Sequence, residues 1–495
     1  MTSLPPYPRL TRRMLLAGAG LTVGLGTLGF TRPAPSIGGH FAGIKAQFAP
    51  TLNYLQTGGT RIVDSNGYPV VLTGLNWFGM ETGTLCPHGL WARNYGDLLD
   101  QVVQGGFNCL RLPFSGDLFN PDLKPNGIDF NKNPDLEGRS GLEILDTIVV
   151  AAGKRGLKII LDQHRPDQNA QSPLWYTDHY AQADWLAQWQ ALAARYLGND
   201  AVIGADLHNE PAGPATWGGG DPKTDWAIAA ETAGNTIHAV NPNWLILVEG
   251  IEKILDKDGN PLDWTWQGGE LMGAGSRLIQ LNVPNRVVYS PHDYGPGVYG
   301  QKWFTDPTFP DNLPAFWDKH WGYLQKQSLA PLLVGEFGGR SVGDDTEGLW
   351  QRTLVSYLAA NRMSYTYWCL NPNSGDTGGW LGDDWQTINP GKETLLKTFQ
   401  GKPILNVAPT VVNAAAVPPP TGKAGSLTLP ATATPSPTPL PASTRTYVVQ
   451  PGDTLASIAA RFYGNPDAWP RLVKANADQI SDPDLVRPGQ ALRIP

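Results

Sequence analysis

Two glutamates sit in short, patterned contexts: Glu210 in His208-Asn209-Glu210-Pro211 and Glu336 in Gly335-Glu336-Phe337-Gly338. Each closes an apolar run. Cleavage of a glycosidic bond needs such a carboxyl pair. One acid protonates the leaving oxygen, and the other attacks the anomeric carbon or activates water to do so. Other apolar runs end in polar groups too: Arg111-Leu112-Pro113, Asp162-Gln163-His164, His292-Asp293-Tyr294 and Trp368. A single Glu after a strand is as often a surface or salt-bridged residue. Two within a ring of polar strand ends favour the chemical reading.

Groups this far apart in the chain meet only on a scaffold that gathers strand ends at one face. Eight apolar runs are predicted strands: Pro69–Asn76, Phe107–Pro113, Leu157–His164, Val202–Glu210, Trp244–Glu249, Val287–Tyr294, Pro331–Gly338 and Ser364–Leu370. Apolar residues at helical spacing predict helices over Trp91–Gln104, Gly141–Gly153, Trp185–Tyr196, Trp226–Val240, Pro314–Gln327 and Thr346–Asn361. This alternation predicts an α/β fold, a (β/α)8 TIM barrel whose reactive groups stand at the C-terminal strand ends. A doubly wound sheet lacks support. The one G-x-G-x-x-G match, Gly24 to Gly29, has no strand before it.

Composition agrees with a carbohydrate substrate. The 495 residues include 18 Trp, 16 Tyr and 14 Phe, and flat rings stack on pyranose faces, although aromatics also fill large cores. Charged residues are 16% and the net charge is -7, which argues against nucleic acid as a partner. Cys86, Cys109 and Cys369 show no metal-ligand spacing, and no disulfide is expected. Strand alternation points Cys109 inward with Arg111, and Cys369 opposite to Trp368. No H-E-x-x-H or G-x-S-x-G motif occurs. The run Asp256-Lys257-Asp258-Gly259-Asn260 has its Gly too early for a calcium loop, and Gln267 where the bidentate Glu belongs, so it reads as a turn. No metal and no cofactor are expected.

Together these motifs resemble glycoside hydrolase family 5, as do Gly74-Leu75-Asn76-Trp77-Phe78-Gly79 and Pro291-His292-Asp293-Tyr294. The run from Trp368 to Gly379, with Asp383-Asp384-Trp385-Gln386-Thr387, is similar to the bacterial endo-β-1,4-glucanase branch. The resemblance implies hydrolysis of cellulose by a retaining double displacement, with Glu336 as nucleophile and Glu210 as acid and then base. The carboxyls of retaining enzymes lie about 5–5.5 Å apart. It further implies that Asn209 bonds the sugar 2-hydroxyl, that Arg111 and Tyr294 orient Glu336, and that His164 and His292 complete the polar network. Trp368 would stack under the sugar at the cleavage point. His88, Trp91 and Trp266 are candidate neighbours along the chain. Mannan, xyloglucan and mixed-linkage glucan are alternative substrates of the same machinery, and a non-catalytic wall-binding protein is the alternative outside enzymes.

The rest of the chain is organised around this unit. Arg12-Arg13 before an apolar run makes residues 1–33 a twin-arginine-type export signal, which would contact membrane only if uncleaved. The protein is therefore expected to be secreted or held at the cell envelope, and to be a monomer. The catalytic unit is expected over 51–405. A Pro-, Thr- and Ala-rich linker follows over 406–445. Residues 446–495 read as a small α+β (βααβ) unit, and Tyr447–Ala459 with Val486–Pro495 resemble the LysM domain. That resemblance implies binding to peptidoglycan or chitin, in a groove flanked by Gly452–Thr454 and Ile480–Leu485. A spacer without sugar affinity is the alternative.

Overall fold

A computed structural model describes residues 52–256, 259–404, 412–413, 445–449, 455–463, 471–472, 475–476 and 490–494. The expected export signal, most of the linker and both flanks of the expected LysM groove lie outside the described residues. The chain divides into two compact units, Met1–Pro420 and Thr421–Pro495.

The first unit is built on eight parallel strands: β1 (Thr73–Asn76), β2 (Cys109–Ser115), β3 (Lys158–Arg165), β4 (Val202–Asp206), β5 (Leu245–Val248), β6 (Val287–Tyr289), β7 (Leu333–Val334) and β8 (Ser364–Tyr367). Each overlaps one of the predicted runs, with β2 running on to Ser115 and β3 to Arg165. Neighbours pair in sequence order from β1 to β6, and β1 also pairs β8, which pairs β7. The remaining seam, β6 to β7, is bridged at Tyr289 with Leu332 and at His292 with Glu336. A residue of the candidate site thus helps to close the barrel.

Alternation sorts the strand residues. Cys109, Ile160, Ile203, Leu247, Val288 and Leu333 form one buried cluster inside the barrel, so Cys109 does point inward. Ile159, Leu161, Ala205, Ile246 and Val248 belong to a second cluster with the helices. The β3–β4 register slips between Ile159 and Ile160, which keeps both Ile203 and Asp206 on the inner side. Gly204 lies in this slip. A Cβ there would stand 2.6 Å from the carbonyl oxygen of Leu245, so only glycine allows the strands to approach.

The helices are α1 (Tyr95–Gln104), α2 (Gly141–Lys154), α3 (Gln182–Arg195), α4 (Trp226–His238), α5 (Leu313–Trp317), α6 (Tyr323–Lys326), α7 (Thr346–Asn361) and α8 (Pro390–Lys397). Capping explains their starts. Ser140 and Glu143 form a reciprocal capping box on α2, and Asp225 caps α4 through the N–H groups of Ala227 and Ile228.

The structure corrects four expectations. Pro69–Val70 is not part of β1. It pairs with Arg61–Val63 in a small antiparallel sheet, and its Val70 packs against the barrel floor beside Ile62. Helix α1 begins at Tyr95, because Asn94 caps it and leaves Trp91 in the preceding turn. The helix predicted over Pro314–Gln327 is broken into α5 and α6 by a π turn at Asp318–Gly322. Helix α8 was not predicted, although Asn389 as cap and Pro390 at its first position are standard start signals.

In the second unit, Arg445–Val448 pairs antiparallel with Ala491–Ile494, and a helix spans Leu455–Tyr463. Val449, Leu455, Ile458, Ala459, Leu472, Leu492 and Ile494 form its core. Buried Asn476 accepts the Arg493 N–H at 2.7 Å and donates to the carbonyls of Leu472 and Arg493. Among the described residues, no helix is long and apolar enough to cross a membrane.

Candidate active site

Arg111, from β2, is fully buried in the barrel mouth. Its Nε donates to Asp206 at 2.9 Å and its Nη2 to Glu249 and Asn209 at 3.1 and 3.0 Å. Its Nη1 reaches Asn76 at 3.0 Å, Asp162 at 3.1 Å and Glu336 at 2.6 Å. Burial opposes a charge here. The four carboxyl groups outweigh it and push the guanidinium pKa up. The same burial raises Asp162 to about 7 and Asp206 to about 6, and holds Glu249 well above the carboxylate range. One cation facing several desolvated carboxyls leaves part of the set protonated near neutral pH.

The two glutamates occupy unlike surroundings. Glu336 Oε1 accepts from Arg111, and its Oε2 accepts from the Tyr294 hydroxyl at 2.6 Å. Two such donors suit a carboxylate. Among the described residues, no Lys or Arg pairs with Glu210. Its Oε2 accepts from Gln171 Nε2 at 2.9 Å, and its Oε1 lies 3.1 Å from His292 Nδ1. Burial raises the Glu210 pKa and lowers that of His292 to about 3, so the imidazole is neutral. One carboxylate oxygen from each glutamate and one His292 ring nitrogen lie within 4.8 Å of one another. Nearest oxygens this close fit the roughly 5–5.5 Å carboxyl separation of retaining enzymes better than the roughly 6.5–9.5 Å of inverting ones.

Neither glutamate lies on a strand proper. Glu210 adopts φ 53°, in the left-handed region that a side chain rarely takes. Its N–H donates to Glu249 Oε2 at 2.7 Å, which pins the turn. Gly268 packs against it. A Cβ at that position would stand 2.5 Å from Glu249 Oε2 and 3.3 Å from Glu210 Cα. Glu249 therefore joins Arg111 to the backbone of Glu210.

A cavity of about 800 Å³ opens over these groups. His164, Asn209, Glu210, Trp266, Tyr294, Glu336 and Trp368 line it, and Arg111 and His292 lie beneath. Among the described residues, Asn209 Nδ2 is buried without a hydrogen-bond partner, a donor that a ligand could use. His164 holds Asp162 Oδ2 at 2.7 Å through Nδ1. His88 and Trp91 do not line the cavity. They continue a row of rings that starts at Trp368: Phe78 at 5.5 Å, then His88 at 5.2 Å, then Trp91 at 5.3 Å. Trp91 is 39% exposed at the outer end of that row.

Among the described residues, three groupings of side chains have ligating atoms close enough for a metal: Asp162, His164 and Glu336; Asp206, Glu249 and His292; and Glu210, His292 and Glu336. In the first two, the carboxyls already address a cation, the Arg111 guanidinium. Cys86, Cys109 and Cys369 are buried free thiols.

Sequence reasoning missed Asp206, Glu249 and Gln171 as site residues. Glu249 carried a signal, since it closes a predicted strand as Glu210 does. Gln171 lies in the long β3–α3 loop, where no periodicity marks it.

Comparisons place this geometry among known proteins. Residues 63–374 match the family described as cellulase (glycosyl hydrolase family 5), and residues 447–495 match the LysM domain. An endoglucanase of Paenibacillus polymyxa is 53% identical over 366 residues, covering 74% of this chain and 91% of that protein. The major extracellular endoglucanase of Xanthomonas campestris pv. campestris is 44% identical over 358 residues, covering 71% of this chain and 72% of that protein. Its catalytic domain, as a solved structure, superposes with a TM-score of 0.65 over 70% of this chain and 99% of that one, at 43% identity. An endocellulase from Pyrococcus horikoshii, solved as a complex with cellotetraose, gives a TM-score of 0.66 at 40% identity, over 71% of this chain and 99% of that one.

Proposed function

Because the chain belongs to the cellulase family, glycosyl hydrolase family 5, and carries a LysM domain, we propose that it is an endo-β-1,4-glucanase acting on cellulose with retention. Glu336 attacks the anomeric carbon while Glu210 gives its proton to the departing glycosidic oxygen. The result is an ester between Glu336 and the sugar. Glu210, now a carboxylate, takes a proton from water, whose oxygen attacks the same carbon and frees Glu336. Arg111 and Tyr294 orient Glu336 by donating to its two oxygens, and burial, which raises the Glu210 pKa, favours the acid form for the first step. Asn209 supplies the free donor for the 2-hydroxyl, and Trp368 the ring beneath the sugar. The observation that carries this reading is the close, unlike pair. Two glutamate oxygens lie within 4.8 Å, one glutamate bound to a cation and the other not.

The test is an assay for new reducing ends on carboxymethylcellulose, mannan, xyloglucan and mixed-linkage glucan, with the first-formed anomer followed by NMR. Cellulose preference and β-anomer product are expected. Preference for another polymer overturns the substrate, and α-anomer product overturns the double displacement.

The LysM unit binds an N-acetylglucosamine polymer, peptidoglycan or chitin, and raises the local concentration of the enzyme at that surface. The name of the Xanthomonas relative and the paired Arg12-Arg13 support export through a twin-arginine route and a secreted or envelope-associated enzyme. The working unit is a monomer. Sedimentation with purified peptidoglycan and with chitin, compared with a chain ending at Pro420, tests the tether. Equal partitioning of both chains would remove it.

A further inference from the structure

The segment between β5 and β6 carries a hairpin that the bond-breaking groups do not use. Its strands, Lys253–Leu255 and Pro261–Trp264, pair antiparallel. It is rooted beside Glu210. The Gly250 N–H donates to Gly268 O at 2.7 Å, and the Glu252 carboxylate accepts the N–H of Gly213 at 3.0 Å. Trp264 stands at the inner end of the hairpin and lines the cavity, yet it is 39% exposed. Tryptophan gains most from burial, so an indole kept open in a cavity wall offers surface to a ligand. Lys302 Nζ lies 3.9 Å from the ring centroid, and the adjacent Asp263 pairs with Lys319. Glu252 and Gln301 line the same cavity and supply polar groups for sugar hydroxyls.

We propose that Trp264 is the platform of a glucosyl-binding subsite on the leaving-group side of the cleaved bond, with Glu252 and Gln301 as hydrogen-bonding partners. The side follows from the two glutamates, and the inference rests on the proposed role of Glu210. The acid faces the oxygen that departs, so the departing chain runs past Glu210, where the hairpin is rooted. In the proposed mechanism the attacked sugar stacks on Trp368, which lines the same cavity as Glu336.

The experiment compares two substrates on the full chain. Cellohexaose places glucosyl units on both sides of the cut. An aryl β-cellobioside has only a phenol on the leaving side. Trp264→Ala is expected to lower the ratio of kcat/KM for cellohexaose to that for the aryl cellobioside about tenfold, equivalent to about 1.4 kcal/mol. It also shifts cellohexaose products toward cuts with fewer sugars beyond the bond. Trp264→Phe, which keeps a ring, restores most of the ratio. A ratio within about twofold of the parent, or an equal loss on both substrates, overturns the subsite. A parent chain that cleaves neither substrate overturns the hydrolase reading itself, and the subsite with it.

Discussion

The floor and the mouth of the barrel are made by the same strands, often two residues apart. On β2 they are Cys109 and Arg111, on β3 Ile160 and Asp162, and at the end of β5 Leu247 and Glu249. All six are buried or nearly so. The floor is apolar and close-packed, so its residues act through volume and area removed from water. The mouth holds carboxyls around one guanidinium, where desolvation is costly and only mutual contacts offset it. Equal burial therefore means opposite things. Below, it supplies stability. Above, stability is spent on holding charges and protons where a bond is to be broken, and stored strain such as the left-handed Glu210 belongs to that end.

Four substitutions break or sharpen this contrast. The largest effect is expected for Glu336→Gln, which removes the nucleophile but keeps the shape. Turnover of carboxymethylcellulose falls by at least about a thousandfold, while the thermal midpoint stays near that of the parent. A folded variant with substantial activity would remove Glu336 from the reaction.

Arg111→Met strikes the centre of the mouth. It strands four buried carboxyls and is expected to cost about 3–5 kcal/mol in urea unfolding, with loss of activity. The pH dependence has a definite sign. Asp162 and Asp206 have folded pKa values raised above the ordinary carboxylate value, to about 7 and about 6. Their linkage contribution is present in full below that ordinary value and is lost as pH rises through the folded values. Without the guanidinium their pKa values rise further, so the deficit of the variant grows as pH rises through about 6 and about 7, where only the parent's folded groups ionise. A deficit that shrinks over this range would show that the guanidinium does not hold these charges.

Ile160→Ala tests the floor. A fully buried side chain is cut back, at a cost of about 2–5 kcal/mol in urea unfolding, and kcat should stay within about threefold of the parent. A large fall in kcat at unchanged stability would dissolve the division between the two ends.

The smallest expected effect is for Gln171→Ala. Gln171 donates to Glu210 and favours its carboxylate, against the burial that raises the pKa. Removing the donor lets the pKa rise further, so the acid keeps its proton to higher pH. The alkaline limb of kcat/KM should move up by less than about one unit. A downward shift would contradict the assignment of that limb to Glu210.

Much of the barrel was legible in the sequence because strand alternation and helical spacing are local. Each predicted apolar run overlaps one barrel strand, and the polar residues that close those runs do gather at one mouth. What escaped was also local, but short. Pro69–Val70 merged with β1 because only two residues separate them, and α8 is a mere two turns. The split of Pro314–Gln327 at the π turn left no mark in the apolar spacing. The motifs placed Glu210, Glu336, Arg111, Asn209 and Tyr294 in the site. They did not show that Trp91 stands outside the cavity and Trp264 on its wall.

The amino-acid sequence by itself determined which residue types face inward along the regular strands, because the pleat repeats every two residues wherever the ladder is unbroken. Only the tertiary structure decided which of them touch. Arg111 meets Asp206 across 95 positions and Glu336 across 225, and Glu249 holds the backbone of Glu210. Those contacts depend on how the strands are staggered around the closed barrel and on a left-handed turn. The same closure takes carboxyls out of water, and the raised pKa values of Asp162, Asp206, Glu210 and Glu249 follow from it.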